Sequence, residues 1–174
     1  MSTSPTPSQT VGPYFEIGFQ WCSQPELVPE SHPDAIGIEG LVFDGEGTPV
    51  PDAVLEIFQA DGTGRFPPDT APSWSGFGRC LSDEAGRYRF VTVKPGADER
   101  GVAPHIDVSV FARGLLQRLI TRCYFADEAA NEHDPLLNEI GPELAATIVA
   151  EHRDGSYRFD VHLQGDRETA FFAW

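Results

Sequence analysis

The sequence has no apolar run near the roughly 20 residues needed to cross a bilayer, so no membrane-spanning role is expected. Its opening segment, Met1 to Gln9, has neither a basic stretch nor an apolar core, and a secretory leader is not expected there. Cysteine is scarce. Cys22, Cys80 and Cys123 are odd in number and form no CxxC pair, which argues against a disulfide framework and for a reducing compartment, the cytoplasm by default. Positive charge is scarce too: 12 Lys and Arg stand against 27 Asp and Glu, a formal charge of −15. Such a chain does not neutralise phosphates, so nucleic acid is not expected as a partner. An anionic small molecule would need a local Arg or Lys to hold it. Also missing are the GxSxG elbow, the P-loop, the dinucleotide fingerprint and the HExxH helix.

What is present suits a single core. The chain has 174 residues, 40% of them hydrophobic, and one domain spanning 1–174 is expected. Its 15 Pro and 17 Gly are scattered, which favours many turns and few long helices. Alternation with period two dominates. Ile36, Ile38 and Val42 alternate, Ala53 to Ala60 forms a second segment, and Tyr88 and Phe90 share one face of a third. Ile106, Val108 and Val110 alternate with His105, Asp107 and Ser109, and Leu119 to Phe125 follows. Tyr157 to Leu163 alternates again, and Ala170-Phe171-Phe172 reads as a short closing strand. Helical signal is confined to 126–137 and to 142–150, where Pro142 suits a first helical position. Residues 65–78 read as a long irregular loop. The predicted fold is all-β: an antiparallel β-sandwich over 36–174, with short helices in its connecting loops and an extended N-terminal arm over 1–35.

Two places could carry chemistry. In His105-Ile106-Asp107 the first and third side chains share one face of a strand, so an imidazole and a carboxylate converge while Ile106 faces the core. That could be one edge of a metal site, but Zn or non-haem iron takes three or four protein ligands. A His and an Asp hydrogen-bonded on a polar face is the plainer reading. Arg113 ends an apolar run, Val108 to Phe111, and precedes Gly114. Arg there suits bidentate binding of a carboxylate, although pairing with the abundant surface acids is the simpler role.

Several blocks together resemble one family. GEGTPVPDAVLEIFQADGTGRF (45–66), SDEAGRYRFVTVKPG (82–96), APHIDVSVFARGLLQRLITRCYFADE (103–128) and YRFDVHLQGDRETAFFAW (157–174) are similar to intradiol ring-cleavage dioxygenases. The opening PSQTVGPYF (7–15) resembles an N-terminal arm of that family. The resemblance implies a β-sandwich in which active members hold Fe(III) with two tyrosinates and two histidines. Carried over, the ligand positions fall on Phe66, Asp98, His105 and Asp107, and His105 alone keeps the family's residue. The resemblance therefore implies no metal and no catalytic residue in this chain. An intact frame without ligands is similar to the silent alpha subunit of two-subunit members. Such a subunit pairs with a homologous iron-bearing beta subunit and lines part of its pocket for a catechol-type aromatic acid and O₂. On that reading Thr10, Gly12, Pro13, Tyr14 and Arg113 contribute to the substrate pocket, and 1–35 carries subunit contacts. The implied reaction turns 3,4-dihydroxybenzoate and O₂ into 3-carboxy-cis,cis-muconate, a step of aromatic catabolism in the beta-ketoadipate pathway.

Two alternatives stand beside this. A homologue with an altered site could bind a divalent metal through Asp98, His105 and Asp107. From another class, the chain could be a non-enzymatic β-sandwich scaffold or binding module.

Overall fold

Alternating apolar residues fold as the pattern predicts. The computed structural model describes residues 6–12, 14–68, 74–97 and 101–173. Its strands are β1 (Ala35–Phe43), β2 (Val54–Phe58), β3 (Phe77–Leu81), β4 (Arg87–Val93), β5 (His105–Phe111), β6 (Leu119–Phe125), β7 (Val149–Arg153), β8 (Ser156–Arg158) and β9 (Val161–His162). A helix α1 (Tyr14–Gln20) precedes them, and a 3₁₀ turn (Ala129–His133), α2 (Pro135–Ile140) and α3 (Pro142–Ala146) lie between β6 and β7.

The strands hydrogen-bond in the order β3-β2-β5-β6-β7-β8-β1-β4, and β9 pairs with β1. The two ends of that path, β3 and β4, are consecutive in sequence and joined by a tight turn in which Asp83 Oδ1 accepts from Ala85 and Arg87 N. The sheet is thus nearly closed and barrel-like. The expectation of a mostly β chain with short helices in its connections is met, but the antiparallel sandwich is not the arrangement seen. Three pairs, β6–β7, β1–β8 and β1–β9, are parallel. The connection from β6 to β7 is long enough, with its helices, to return the chain in the same direction.

Inside, Ile38, Val42, Leu55, Ile57, Phe90, Ile106, Val108, Val110, Phe125 and Val161 form the main core. Each is almost fully buried, which stabilises the fold by about 1.5–3 kcal/mol per side chain. A smaller cluster of Ala103, Tyr124, Leu137, Ile148 and Ala170 packs the helices against β6.

Local elements depart from the pattern in four places. The segment 157–163 is two strands, because the backbone bends at Phe159-Asp160 and the Asp160 carboxylate, not a carbonyl, accepts from Leu41 N at 2.9 Å. Gly40 makes that bend fit: a Cβ there would lie 1.9 Å from Phe159 O. Residues 170–172 form no strand, although Phe172 N donates to Ile120 O and Thr121 Oγ1 to Ala170 O. The second predicted helix stops at Ala146, and its last apolar residues open β7. The arm contains a helix, with Phe15 and Phe19 one turn apart on its inner face. Phe15 packs on Phe111 and the Arg79 guanidinium lies 4.4 Å over the Phe19 ring.

Candidate functional site

The outer face of β5 carries His105 and Asp107, as alternation requires, while Ile106 is fully buried behind them. Antiparallel pairing sets Tyr124 opposite His105 and Arg122 opposite Asp107. These four side chains close a ring with the helical layer. His105 Nδ1 lies 2.7 Å from Ala103 O. A carbonyl can only accept, so Nδ1 carries the proton and Nε2 is the lone-pair nitrogen. Nε2 faces Asp107 Oδ1 at 3.7 Å, and the same Oδ1 accepts from Arg122 Nε at 3.1 Å. Arg122 Nη1 donates to the Tyr124 hydroxyl at 3.3 Å, which donates in turn to Asp134 Oδ1 at 3.3 Å. Asp134 is fully buried; it caps α2 through Leu136 and Leu137 N and accepts from Ala103 N at 3.0 Å, which completes the ring.

Burial, the nearest cost to a charged imidazole, pulls the His105 pKa below its ordinary value, and Arg122 pulls the same way against the Ala103 hydrogen bond and Asp107. Burial pushes the Tyr124 phenol up to about 12, so it is a neutral hydroxyl and no tyrosinate.

Phe66 is brought to this face by the turn before it. Asp61 Oδ1 accepts from Thr63 Oγ1 and from Thr63 and Arg65 N, and those bonds, the Thr63 hydroxyl foremost, hold its pKa low. Gly96 N donates to Asp61 O, and a side chain at Gly96 would meet the 62–64 backbone at 2.6–2.8 Å. Phe66 stacks on Phe58 at 5.5 Å and borders, with Gly96, Ala103 and His105, a cavity of about 10 Å³. That is scarcely room for one water.

These residues do not fit a ferric ion. Phe66 has no donor atom, and the Asp107 carboxylate is already held by a guanidinium whose charge opposes any cation beside it. Among the described residues no group of three or more His, Cys, Asp or Glu is arranged to hold a metal. Asp98 lies outside the described residues. The divalent alternative meets the same obstacle, because Arg122 holds Asp107, one of its two described ligands.

The remaining candidate residues gather at the other end of β5. Six steps of about 3.3 Å each lead from His105 to Phe111, so the two ends lie roughly 20 Å apart. Thr10 Oγ1 accepts from Gly114 N at 2.7 Å, which ties the arm to the turn after Arg113. Arg113 is half exposed, and its Nε meets Asp52 Oδ2 at 2.8 Å. Val11 and Gln9 from the arm face Phe111, Leu115, Leu116 and Arg118 across a cavity of about 190 Å³. Tyr14 is 81% exposed and nothing lies within 4 Å of where a Gly12 side chain would begin. Pro13 lies outside the described residues.

Known proteins match this chain in sequence and fold. Residues 12–165 match the protein family described as dioxygenase. The protocatechuate 3,4-dioxygenase alpha chain of Burkholderia cepacia is 45% identical, over 96% of this chain and 96% of its own length. The chain belongs to the intradiol dioxygenase family. The beta chain from the same organism is also a relative, 34% identical over 76% of this chain and 65% of its own length. Among solved structures of the family, the dioxygenase domain of a dioxygenase–carbohydrate-binding fusion from Streptomyces sp. SirexAA-E superposes with a TM-score of 0.69. It is 28% identical and covers 93% of this chain and 99% of that one. The intradiol frame is therefore kept from the arm to the last strands.

Sequence reasoning did not single out Arg122, Tyr124, Asp134 or Asp52. The first two were findable, since alternation on β6 places them on the face of the His-X-Asp pair. Asp134 and Asp52 sit in turns whose partners are distant in sequence, and no local signal marks them.

Proposed function

We propose that this chain is the iron-free alpha subunit of a protocatechuate 3,4-dioxygenase, joined to a homologous iron-bearing beta subunit in an alpha/beta hetero-oligomer. The enzyme converts 3,4-dihydroxybenzoate and O₂ to 3-carboxy-cis,cis-muconate. The observation that carries this reading is the ligand face itself: Phe66 closing a 10 Å³ cavity against His105 while Arg122 holds Asp107, inside an intact family frame. The full-length likeness to an alpha chain, above that to a beta chain, supports the same reading.

The chain's own residues then act at the edge of the partner's pocket. Thr10, Gly12, Pro13 and Tyr14 form a wall of the pocket, and the Arg113 guanidinium binds the ring carboxylate that the −15 surface would otherwise repel. The separation of Arg113 from His105 along β5 supports this, because Arg113 is too far away to serve a site in its own chain. The exposed apolar residues Tyr14 and Ile17 of α1 and Trp21 just after it contact the beta chain. No helix among the described residues is long and apolar enough to cross a membrane, and the three thiols are free, in keeping with a cytoplasmic setting.

The test is to express the chain alone and with its beta homologue, then measure iron, visible tyrosinate-to-iron absorption and ring cleavage. Iron and activity in the co-expressed complex, with neither in this chain alone, are expected. Coloured, active protein from this chain alone overturns the reading.

A further inference from the structure

We propose that Asp52 is a positioning residue that fixes the Arg113 guanidinium for the carboxylate of the aromatic substrate. The proposal rests on the reading of Arg113 as a pocket residue. The β2–β5 ladder ends at Val54↔Phe111, and the turn just before β2 brings Asp52 beside Arg113, just past the end of β5. Asp52 Oδ2 lies 2.8 Å from Nε of Arg113, an ion pair. The two terminal nitrogens of the guanidinium have no partner among the described residues, and a second carboxylate can be gripped by that outer edge.

Asp52 shows two marks of a residue kept for more than folding. Its backbone stands at φ 60°, a conformation that non-glycine residues seldom adopt. Its other oxygen, Oδ1, is buried and makes no hydrogen bond among the described residues. The side chain is 13% exposed while that of Arg113 is 56% exposed, so a mostly sheltered anion anchors a cation that reaches outward. Burial raises the Asp52 carboxyl above its ordinary value and Glu16 on α1 adds to this, while Arg113 opposes both. A free Arg side chain carries considerable rotamer entropy, and anchoring Nε removes much of it before substrate arrives.

The experiment uses the co-expressed alpha/beta complex and two substrates, 3,4-dihydroxybenzoate and catechol, which lacks the carboxylate. D52N and D52G both suit a positive φ and remove the charge. Each is expected to raise KM for the acid about tenfold with little change in kcat. The preference for the acid over catechol, as a ratio of kcat/KM values, falls by the same factor. R113A/D52N should be no worse than R113A. The proposal is overturned if R113A raises KM and D52N does not, or if D52N slows both substrates alike. An unchanged KM in R113A overturns instead the pocket role of Arg113, and this proposal with it.

Discussion

Arg122 reaches from β6 to grip Asp107 on β5, Nε to Oδ1 at 3.1 Å, at a position where active relatives of this fold are expected to place a histidine for iron. The guanidinium cross-links β5, β6 and, through Tyr124 and Asp134, the cap of α2. A positive group thus stands on the face of β5 and β6 that carries His105, where the family resemblance puts a metal.

Truncating Arg122 to Met should lower stability by about 1–3 kcal/mol, since Asp107 and the Tyr124 oxygen lose a partner at a half-sheltered face. The double variant R122M/D107L removes both charges and should recover much of that loss. Denaturant midpoints at unchanged m-value measure it. A double variant as unstable as the sum of the singles would mean that the two residues act separately.

Restoring one ligand should not restore a site. D107H recreates the family's His-X-His, but Phe66 still offers no donor and Arg122 stands on the same face. Metal analysis of D107H after incubation with iron should match the unsubstituted chain. Uptake of an equivalent of iron would show that the guanidinium and the filled cavity are no barrier.

How much of this was legible follows from how local each signal is. The strand through His105, Asp107 and Val110 was readable because alternation is a property of neighbours, and the core residues fell where it put them. The break at Phe159-Asp160 was not, because it depends on Leu41 N, more than a hundred residues away. The helix carrying Phe15 and Phe19 is short, and its stability comes from packing on Phe111 and Arg79, which no local propensity reports. Site residues divide in the same way. Phe66 and His105 were named from family position, and both line one small cavity. Arg113 was legible as a strand-end cation, while the acid that it pairs with lies in a turn some sixty residues earlier.

Stability should fall as the medium turns acidic through the histidine range. The His105 pKa is depressed in the fold, so the unfolded chain binds the proton first as pH drops below about 6.5. Its contribution is complete above that value and is lost on the way down towards the folded pKa. His162, also depressed by burial and stacked on Phe43, acts in the same direction. H105N should therefore show a shallower loss of denaturation midpoint between pH 7.5 and 5.5, with the His162 part remaining. An unchanged slope would mean that His105 is protonated alike in both states.

The Gly40 position should tolerate no side chain. A Cβ would lie 1.9 Å from Phe159 O and 2.6 Å from Phe159 C, both backbone atoms, so β1 and the β8–β9 bend must separate. Tyr88 donates to that same carbonyl from the fully packed interior, so the shift would also break a buried hydrogen bond. G40A should cost about 3 kcal/mol or more, read as a fall in thermal midpoint. A midpoint within a degree of the unsubstituted chain would show that the bend is free to move.

Trp21 should matter to assembly and not to the fold of this chain. Phe15 and Phe19 face inward, whereas Tyr14, Ile17 and Trp21 are 81%, 51% and 88% exposed, an apolar stripe one and two turns apart just beyond the Thr10–Gly114 tether. Large apolar side chains so exposed and so close together mark a contact surface. W21E leaves the interior untouched, so the thermal midpoint of the isolated chain should hold within about a degree. Recovery of the beta homologue on a tagged alpha chain should drop sharply, and Y14A/W21E should lose it almost wholly. If W21E retains the beta chain at full yield, the outward face of α1 is not part of the interface, and the beta chain must be held by other surfaces.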